Sequence, residues 1–328
     1  MKIVRLILLL LHIGVFLLLT GMLLNAYIAP KVFPWFNLLS LAFPGLIFGY
    51  VILTIFWIIC WKKRAFLFFF LGLLFFNPVL RWVNYSSVKS EVPDLKVMSF
   101  NTRTGGNERS EVKEYLKNSG ADIILLQEDE GKGYGTLGYE TATFGNITIL
   151  SKYKIIDRQF IKINNKLIDD PALRVDVEIK GKRYRFISVH LQSFGFVKKM
   201  VRLNGDNEED EKKVKNIVKK LIPTFKMHQE QVDIIKEEVE NSPYPVILTG
   251  DFNSVPNSYE YYHISEVLQD AFVAAGRGSG TSFHDYKFPI RIDYIFTSKS
   301  IKALSYKVDR STGVSDHFPV IATFSLKN

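Results

Sequence analysis

Residues 246–254, VILTGDFNS, end a short apolar run in a cluster of polar side chains. Val246 to Leu248 has the composition of a buried strand, and Gly250 ends the run. Asp251 and Asn253 follow, and their two-residue spacing lets both side chains point the same way. A carboxylate and an amide delivered from a buried strand can bind a phosphate or a hard metal ion. Because Asp and Asn are also common turn formers, this motif alone leaves a solvated turn open as an alternative.

Other predicted strands also carry polar residues at or near their ends. These residues are Asn101 in SFN, Glu128 in LLQE, His190 in SVH, Asp293 in RIDYIF, and the pair Asp316 and His317 in SDHFPV. Functional residues gather at the strand ends of a rigid sheet, so these positions indicate a shared cleft. Taken singly, Glu128 could be a solvated turn residue and His190 a hydrogen-bonded structural histidine. Asp293 is more informative, because a carboxylate inside an apolar strand is costly to bury unless it is paired.

The chemistry that these residue types support is hydrolysis of a phosphate ester. Glu128 and Asn101 offer oxygen atoms to Mg²⁺, which takes one or two carboxylates and keeps several waters. Such an ion neutralises charge on a phosphate oxygen. His190 and His317, with an ordinary pKa of about 6.5, could act as base toward water and as acid or donor to the phosphate. Asp293 could hold a histidine in the useful tautomer.

The pattern from Leu95 onward alternates predicted strands with predicted helices. Helices are predicted over residues 108–118 and 225–239. Alternating apolar residues over 173–179 and a Lys-Gly-Lys turn predict a hairpin, so the sheet is not purely parallel. Residues 94–328 therefore form an α/β domain, long enough for one good-sized core.

Charge is distributed unevenly along the chain. Residues before Asp94 contain eight basic residues and one acidic residue, which leaves 34 basic and 32 acidic residues for 94–328. A nearly neutral domain disfavours an obligate nucleic-acid partner, because phosphate backbones are usually met by excess Lys and Arg. Cys60 is the only cysteine, so one chain can form neither a disulfide framework nor a cysteine-rich zinc site.

Three uncharged runs precede this domain, and they span Leu6–Leu24, Leu38–Trp61 and Ala65–Leu80. A bilayer core of about 30 Å takes roughly 20 apolar residues, so residues 1–83 are predicted to form a membrane domain with three transmembrane helices. The third run is shorter and contains Pro78, which leaves an interfacial or re-entrant helix as an alternative. Residues 84–93 are predicted to be a polar linker.

Basic residues predict the orientation of this membrane domain, because they collect on the cytoplasmic side. Lys2, Arg5 and the cluster at 62–64 fall on one side of a three-span arrangement, and the first connecting loop carries only Lys31. The N-terminus is therefore predicted to be cytoplasmic and the domain after Arg81 extracytoplasmic, at an inner (plasma) membrane. A cleaved signal peptide at the first run would leave the domain on the same side.

The motifs SFN, LLQE, ILS, SVHLQS, TGDFNS, RIDYIF and SDHFPV, in this order over residues 95–325, resemble the endonuclease/exonuclease/phosphatase superfamily. The resemblance implies a deoxyribonuclease I-like fold, an α/β four-layer sandwich of two mixed sheets between helices, with the cleft at one edge. It further implies Mg²⁺ as the cofactor, with Mn²⁺ as an alternative, bound by Asn101, Glu128 and Asp316. The implied catalytic residues are His190, Asp251, Asn253, Asp293 and His317, with His317 as general base oriented by Asp293 and with Asp251 and Asn253 positioning the nucleophile and binding phosphate.

A histidine at position 190 resembles the branch with deoxyribonuclease I, sphingomyelinases and inositol-phosphate phosphatases, rather than the abasic-site endonucleases. We therefore expect a membrane-anchored phosphoesterase whose substrate is a phosphodiester or phosphomonoester, with a lipid headgroup as one candidate. A membrane-tethered nuclease and a catalytically silent module that binds anionic ligands are the alternatives. No protein partner is predicted. Residues 194–221 form an expected insertion, in which Phe196, Met200 and Leu203 would share one face of a basic amphipathic helix that either lies on a membrane or is solvated.

Overall fold

The computed structural model describes residues 2–60, 62–103, 109–162, 172–196, 205, 207–285 and 288–326. The helices are α1 (Lys2–Leu23), α2 (Trp35–Ile59), α3 (Arg64–Gly72), α4 (Phe76–Leu80), α5 (Arg109–Asn118), α6 (Asn207–Glu240), α7 (Tyr259–Ser265) and α8 (Ala271–Ala275). The first seven strands are β1 (Val83–Tyr85), β2 (Leu95–Asn101), β3 (Ile123–Gln127), β4 (Glu140–Phe144), β5 (Ile147–Ser151), β6 (Ile155–Ile161) and β7 (Ala172–Ile179). They are followed by β8 (Lys182–His190), β9 (Val246–Asp251), β10 (Gln269–Asp270), β11 (Arg277–Ser279), β12 (Asp293–Thr297), β13 (Lys302–Val308) and β14 (Val320–Ser325).

Two six-stranded mixed sheets form the centre of the C-terminal domain. Their strand orders are β13-β14-β2-β3-β5-β4 and β10-β12-β9-β8-β7-β6. In each sheet one central pair is parallel, β2 with β3 and β8 with β9, and the other pairs are antiparallel. The parallel pairs bring the C-terminal ends of four central strands to the same edge of the sandwich.

The sheets pack face to face over a core that includes Leu125, Val175 and Ile247. On one outer face α5 covers β2 and β3 with Val112 and Leu116, and on the other α6 and α7 cover the second sheet. Each fully buried aliphatic side chain of this kind stabilises the fold by about 1.5–3 kcal/mol. The predicted four-layer α/β sandwich of two mixed sheets is confirmed.

The prediction of three transmembrane helices needs correction. Among the described residues, the segments Lys2–Ala26 and Trp35–Ile59 are long and apolar enough to cross a membrane. The third run forms a shorter apolar segment, Arg64–Leu80, which a 3-10 turn at Leu73–Phe75 interrupts. Pro78 explains the interruption, because its ring conflicts with the carbonyl of residue 74 in a regular α-helix.

The apolar helices are attached to the C-terminal domain through buried polar contacts. The Asn25 side chain donates to the carbonyl of Asn257 (3.0 Å), and Arg81 Nη1 donates to Asn257 Oδ1 (2.8 Å). Asn37 Nδ2 donates to Glu260 Oε2 (3.0 Å). Because Asn25, Asn37 and Asn257 are each about 1% exposed or less, these bonds are shielded from water and hold the two parts in a defined arrangement.

The boundary between the two parts also differs from the prediction. The expected polar linker at 84–93 begins with β1, which pairs with β11. Asn84 is buried there and donates to the carbonyls of Phe272 (2.9 Å) and Val273 (2.8 Å). The polarity of residues 84–93 predicts that they are exposed to solvent. In the structure the Asn84 side chain instead donates to two backbone carbonyls of α8.

Two further elements have different bounds. The helix predicted at 225–239 is the C-terminal half of α6, which begins at Asn207. The strand predicted at 291–296 begins at Asp293, so Arg291 precedes it. Met200 and Leu203, with the neighbouring basic residues of the expected amphipathic helix, lie outside the described residues.

Candidate active site

The register of three adjacent strands places the predicted polar residues side by side. Asp251, the last residue of β9, is opposite Asp293 of β12 and opposite His190 of β8. In the facing sheet, Asn101 ends β2 opposite Gln127, which ends β3. Residues directly across a ladder have Cα atoms about 4.5–5.5 Å apart, so strand pairing alone brings these groups together.

The backbone turns sharply where the strands end. Glu128 and Asn253 adopt left-handed φ angles of 51° and 45°, which are uncommon for residues other than glycine and which cluster at functional sites. At the end of β9 Gly250 has a φ of 142°, and a Cβ on it would lie 1.9 Å from the carbonyl oxygen of Val189. Only glycine fits this close approach, and it delivers Asp251 to the cleft.

Asn101 lies between two carboxylates. Its Nδ2 is 3.1 Å from Glu128 Oε1 and 3.0 Å from Asp251 Oδ2. Its Oδ1 accepts from the backbone N–H of Arg103 (3.0 Å), which fixes the amide in this orientation. Asn101 therefore holds the carboxylates of Glu128 and Asp251 near a common point, and its own oxygen would face a cation at that point only after a flip of the amide.

His190 faces the same point from the second sheet. Its Nε2 lies 3.7 Å from Glu128 Oε1 and 3.8 Å from Asp251 Oδ2. The atom is buried, yet it has no hydrogen-bond partner in the described part of the chain. A buried polar atom without a partner, aimed between two carboxylates, is suited to a polar ligand that completes the site.

His317 and Asp293 form a buried dyad. His317 Nδ1 donates to Asp293 Oδ2 (2.9 Å), which directs Nε2 toward Asp251 Oδ2, 3.7 Å away. Burial would lower the pKa of His317, but Asp293, Asp251 and Asp316 outweigh it and raise the pKa to about 10. Burial also raises the pKa of Asp251, against the opposing charge of His317. A cation bound beside these carboxylates would offset part of their negative charge. It would therefore lower the pKa of His317 toward the range of a general base.

The two remaining predicted residues, Asn253 and Asp316, line a cavity at the strand ends. The Asn253 side chain donates to the carbonyl of Leu191 (2.9 Å), and its backbone N–H donates to Asp251 Oδ1 (2.8 Å). Asp316 lies 3.5 Å from Arg103 Nη1 and accepts from Ser315 Oγ (3.3 Å). The cavity has a volume of about 770 Å³, and Glu128, Asp251, Asn253, Asp316 and His317 are among its lining residues. The structure therefore brings all eight sequence-predicted residues to one region.

The donor atoms at the cavity fit a hard divalent cation. Glu128 and Asp251 supply carboxylate oxygens on either side of Asn101, and Glu128 retains 36% of its side-chain exposure. A second grouping, Asp251 with Asp293 and His317, has ligand atoms within 4.8 Å of one another. In that grouping the Asp293–His317 hydrogen bond already occupies Nδ1. Asp251 belongs to both groupings. A cation bound by oxygens of Glu128 and Asp251 would therefore leave the Asp293–His317 hydrogen bond intact.

The family model described as the Endonuclease/Exonuclease/phosphatase family matches residues 98–317, two thirds of the chain. The chain belongs to the endonuclease/exonuclease/phosphatase family. A second model, a domain of unknown function (DUF8431), matches residues 5–82 and so covers the apolar helices. No curated protein matches the chain significantly.

Solved structures of other family members have the same fold. A family protein from Bacteroides thetaiotaomicron superposes with a TM-score of 0.55 at 18% identity, over 70% of this chain and 97% of that chain. A mannosyl-6-phosphatase from the same organism gives 0.51 at 18%, over 70% and 99%. D. rerio TDP2, complexed with a single-strand DNA product, gives 0.51 at 17%, over 70% and 98%. At these identities the likeness establishes the fold of the family domain and leaves the substrate open.

Sequence reasoning missed other polar groups beside the site. Arg103 and Asp285 both line the cavity. His228 is fully buried, with Nδ1 2.9 Å from Glu260 Oε1 and Nε2 2.7 Å from the carbonyl of Gln192. Neither member of the His228–Glu260 pair ends a strand, so the strand-end pattern gave no signal for it. A hint in the sequence was His228 itself, which lies within the helix predicted over residues 225–239.

Proposed function

We propose that this family member is a membrane-anchored, Mg²⁺-dependent phosphoesterase that hydrolyses a phosphodiester or phosphomonoester of a lipid headgroup. The observation that carries the proposal is the convergence of Glu128, Asp251, His190 and the Asp293–His317 dyad beside one cavity, which Glu128, Asp251 and His317 line. Known members of the family are phosphoesterases and nucleases, so the hydrolase class follows from membership.

Glu128 and Asp251 would hold Mg²⁺, with Asn101 positioning both carboxylates and Asp316 at the edge of the cavity. The bound ion would neutralise charge on a non-bridging phosphate oxygen, with Mn²⁺ as the alternative metal. Oxygen donors of this kind suit either ion.

Protons would be handled by the two histidines. His317 would take the proton of the attacking water at Nε2, while Asp293 holds the ring through Nδ1 and stabilises the imidazolium that forms. His190 would donate from its unpartnered Nε2 to a phosphate oxygen. Asn253 and Asp251 would position the phosphate and the water at the end of β9.

Buried contacts support a retained anchor rather than a cleaved signal peptide. His12 of α1 is fully buried and accepts at Nδ1 from Trp57 Nε1 of α2 (3.1 Å). Asn25, just after α1, donates to the domain at Asn257. Removal of the chain through Asn25 would leave Trp57 Nε1 and the Asn257 carbonyl without these partners, and each such loss at a buried group costs about 1–3 kcal/mol.

The placement of the charges supports an extracytoplasmic domain with a cytoplasmic N-terminus. The loop between α1 and α2 lies beside the domain, where Lys31 Nζ is 2.6 Å from Glu230. Helix α2 then carries the chain about 36 Å away to the basic residues 62–64. The shorter, interrupted segment α3–α4 returns the chain to the domain at Arg81, so the basic clusters lie at the far end. The proposed orientation therefore requires this broken segment to complete a crossing beside the two full-length membrane helices. By the positive-inside rule that far end is cytoplasmic, at the inner (plasma) membrane.

Reporter fusions test this orientation. Alkaline phosphatase fused after residue 90 is expected to be active, and green fluorescent protein at the same position is expected to be dark, because the first folds only outside the cytoplasm and the second only inside it. The opposite pattern would place the domain in the cytoplasm and contradict the proposed topology. A fusion at Lys31 is the matched control, because it should report the same side.

The function itself is tested with the purified full-length chain in nanodiscs. We expect phosphate or headgroup release from sphingomyelin-type or phosphoinositide bilayers that EDTA removes and Mg²⁺ restores, because the carboxylates require the ion to bind the anionic ester. Plasmid DNA is the comparison substrate. Rapid nicking of DNA without hydrolysis of the lipids would favour the membrane-tethered nuclease. The nearly neutral charge of the domain argues against that alternative. Failure on every ester tested, with anion binding retained, would indicate the silent binding module.

A further inference from the structure

The cavity at the strand ends has two chemically different sides. Glu128, Asp251 and His317 lie on the polar side. Nine of the seventeen lining residues are apolar, and they come from α2, α6 and the loops between them and the sheets. A phosphate with its cation needs only the polar side, so the apolar side must serve another part of a ligand.

The apolar side is continuous with the membrane helices. Leu41 of α2, a helix with the length and composition of a membrane span, lines the cavity directly. Val255, Phe283 and Ile292 line it from the domain, and they belong to the same buried cluster as Phe43 of α2. The space beside the catalytic residues is therefore walled by the surface on which the membrane helices pack.

Helix α6 provides another part of the apolar wall. Ile217 and Leu221, one turn apart, both line the cavity. Phe194 and Phe196 pack against this helix, and the Phe194 ring lies 5.6 Å from Phe225 and 5.7 Å from Phe196. Phe194 and Phe196 also line the cavity, so this wall combines aliphatic and aromatic side chains. Such an apolar surface suits hydrocarbon.

We infer that the apolar side of this cavity binds the hydrocarbon chain of the substrate, a phosphate-bearing amphiphile, between Leu41 of α2 and Ile217 and Leu221 of α6. The inference deepens the proposed function and rests on it for the phosphate end. In this arrangement the membrane helix is a specificity-determining part of the active site as well as an anchor. The volume of about 770 Å³ lies within the range of sites that enclose most of a medium-sized ligand.

Calorimetric titration of the full-length chain in nanodiscs with Mg²⁺ and ethyl-, hexyl- and decylphosphonate tests the inference without turnover. We expect the affinity to rise with chain length, by about two- to fourfold for each methylene that enters the cavity. Ile217→Asn should weaken decylphosphonate binding about tenfold and change ethylphosphonate binding less than about twofold, because it places an amide against the chain and leaves the polar side intact.

Val214→Asn is the matched control. Val214 lies on the same helix, is 48% exposed and is not among the lining residues, so the substitution should preserve the chain-length dependence. Any partitioning of the phosphonates into the bilayer is the same for both variants. Ile217→Trp is a second variant that fills the cavity, and it should shift the preference from decyl- to hexylphosphonate.

Equal binding of all three phosphonates would overturn the inference while leaving a phosphoesterase in place. An equal effect of the substitutions at 214 and 217 would overturn it as well, because the chain would then be bound elsewhere. If the unmodified protein neither binds ethylphosphonate nor hydrolyses any ester tested, the proposed function is rejected instead. Enzymatic release of phosphate from the matching alkyl phosphates should follow the same chain-length order.

Discussion

Replacing His317 by Ala should lower kcat for bis(para-nitrophenyl) phosphate by about 10² to 10⁴, the usual contribution of a positioned general base. The residue is 5% exposed, is held by Asp293 at Nδ1 and directs Nε2 toward Asp251. His190 faces the same carboxylates, but among the described residues its Nε2 has no hydrogen-bonded carboxylate to orient it, so we expect it to replace His317 poorly. Initial rates of the full-length protein in nanodiscs with Mg²⁺ measure the loss.

Two variants separate chemistry from folding in this experiment. His317→Ala leaves the Asp293 carboxylate buried without its hydrogen-bond donor. His317→Gln retains a donor in that position, so it should fold normally and lose as much activity as His317→Ala. His263→Ala is the matched control, because His263 pairs with Asp233 away from the cavity and should keep at least about half of the activity. If activity survives within about tenfold in both His317→Ala and Glu128→Ala, the active site has been misplaced.

The Asp270→Ala substitution should destabilise the protein by about 3–5 kcal/mol, because it leaves the Arg291 guanidinium buried without its counter-charge. Arg291 is fully buried and donates to both carboxylate oxygens of Asp270, from Nη1 (2.8 Å) and Nη2 (2.7 Å). Asp270 also accepts from Tyr261 Oη (2.8 Å) and from the backbone N–H of Phe272 at the start of α8 (2.9 Å). Thermal unfolding of the detergent-solubilised full-length protein, followed by circular dichroism, measures the effect.

Glu91→Ala provides the comparison for this loss. Glu91 pairs with Lys302, and their side chains are 46% and 53% exposed. Water therefore solvates Lys302 when Glu91 is replaced, and the free energy of unfolding changes little. Exposed pairs of this kind contribute about 0–1 kcal/mol. Unfolding midpoints that coincide for Asp270→Ala and Glu91→Ala would show that the buried pair does not hold the fold.

Strand ends explain why the sequence could predict that these polar residues lie close together. Asn101, Asp251 and His190 each end an apolar run that is recognisable in one dimension, and the family motifs give their order. The carboxyl ends of the two parallel pairs then meet at one edge by strand pairing alone. Their individual chemical roles remain proposals, because the contacts place these groups together without assigning the proton or the ion.

Two of the differences come from contacts that local sequence patterns do not reveal, and one comes from the local backbone. Local polarity predicts a linker at Asn84, yet the carbonyls of α8 that its side chain contacts lie 188 and 189 residues away. Hydropathy predicts a third full-length membrane helix because it does not register the 3-10 turn that precedes Pro78. The apolar pattern predicts a strand that includes Arg291, whereas the strand begins at Asp293 and the Arg291 side chain is held by Asp270.

The family, the alternation of strands and helices, and the set of polar side chains at the strand ends could be predicted from the sequence, because hydrophobic period and motif order are local properties. The folded chain was needed to show that Leu41 of α2 and Ile217 of α6 line the same cavity. Residues 41 and 217 have no pattern that links them. Their proximity depends on the Asn37–Glu260 and Asn25–Asn257 bonds and on the apolar packing that seats the membrane helices on the domain.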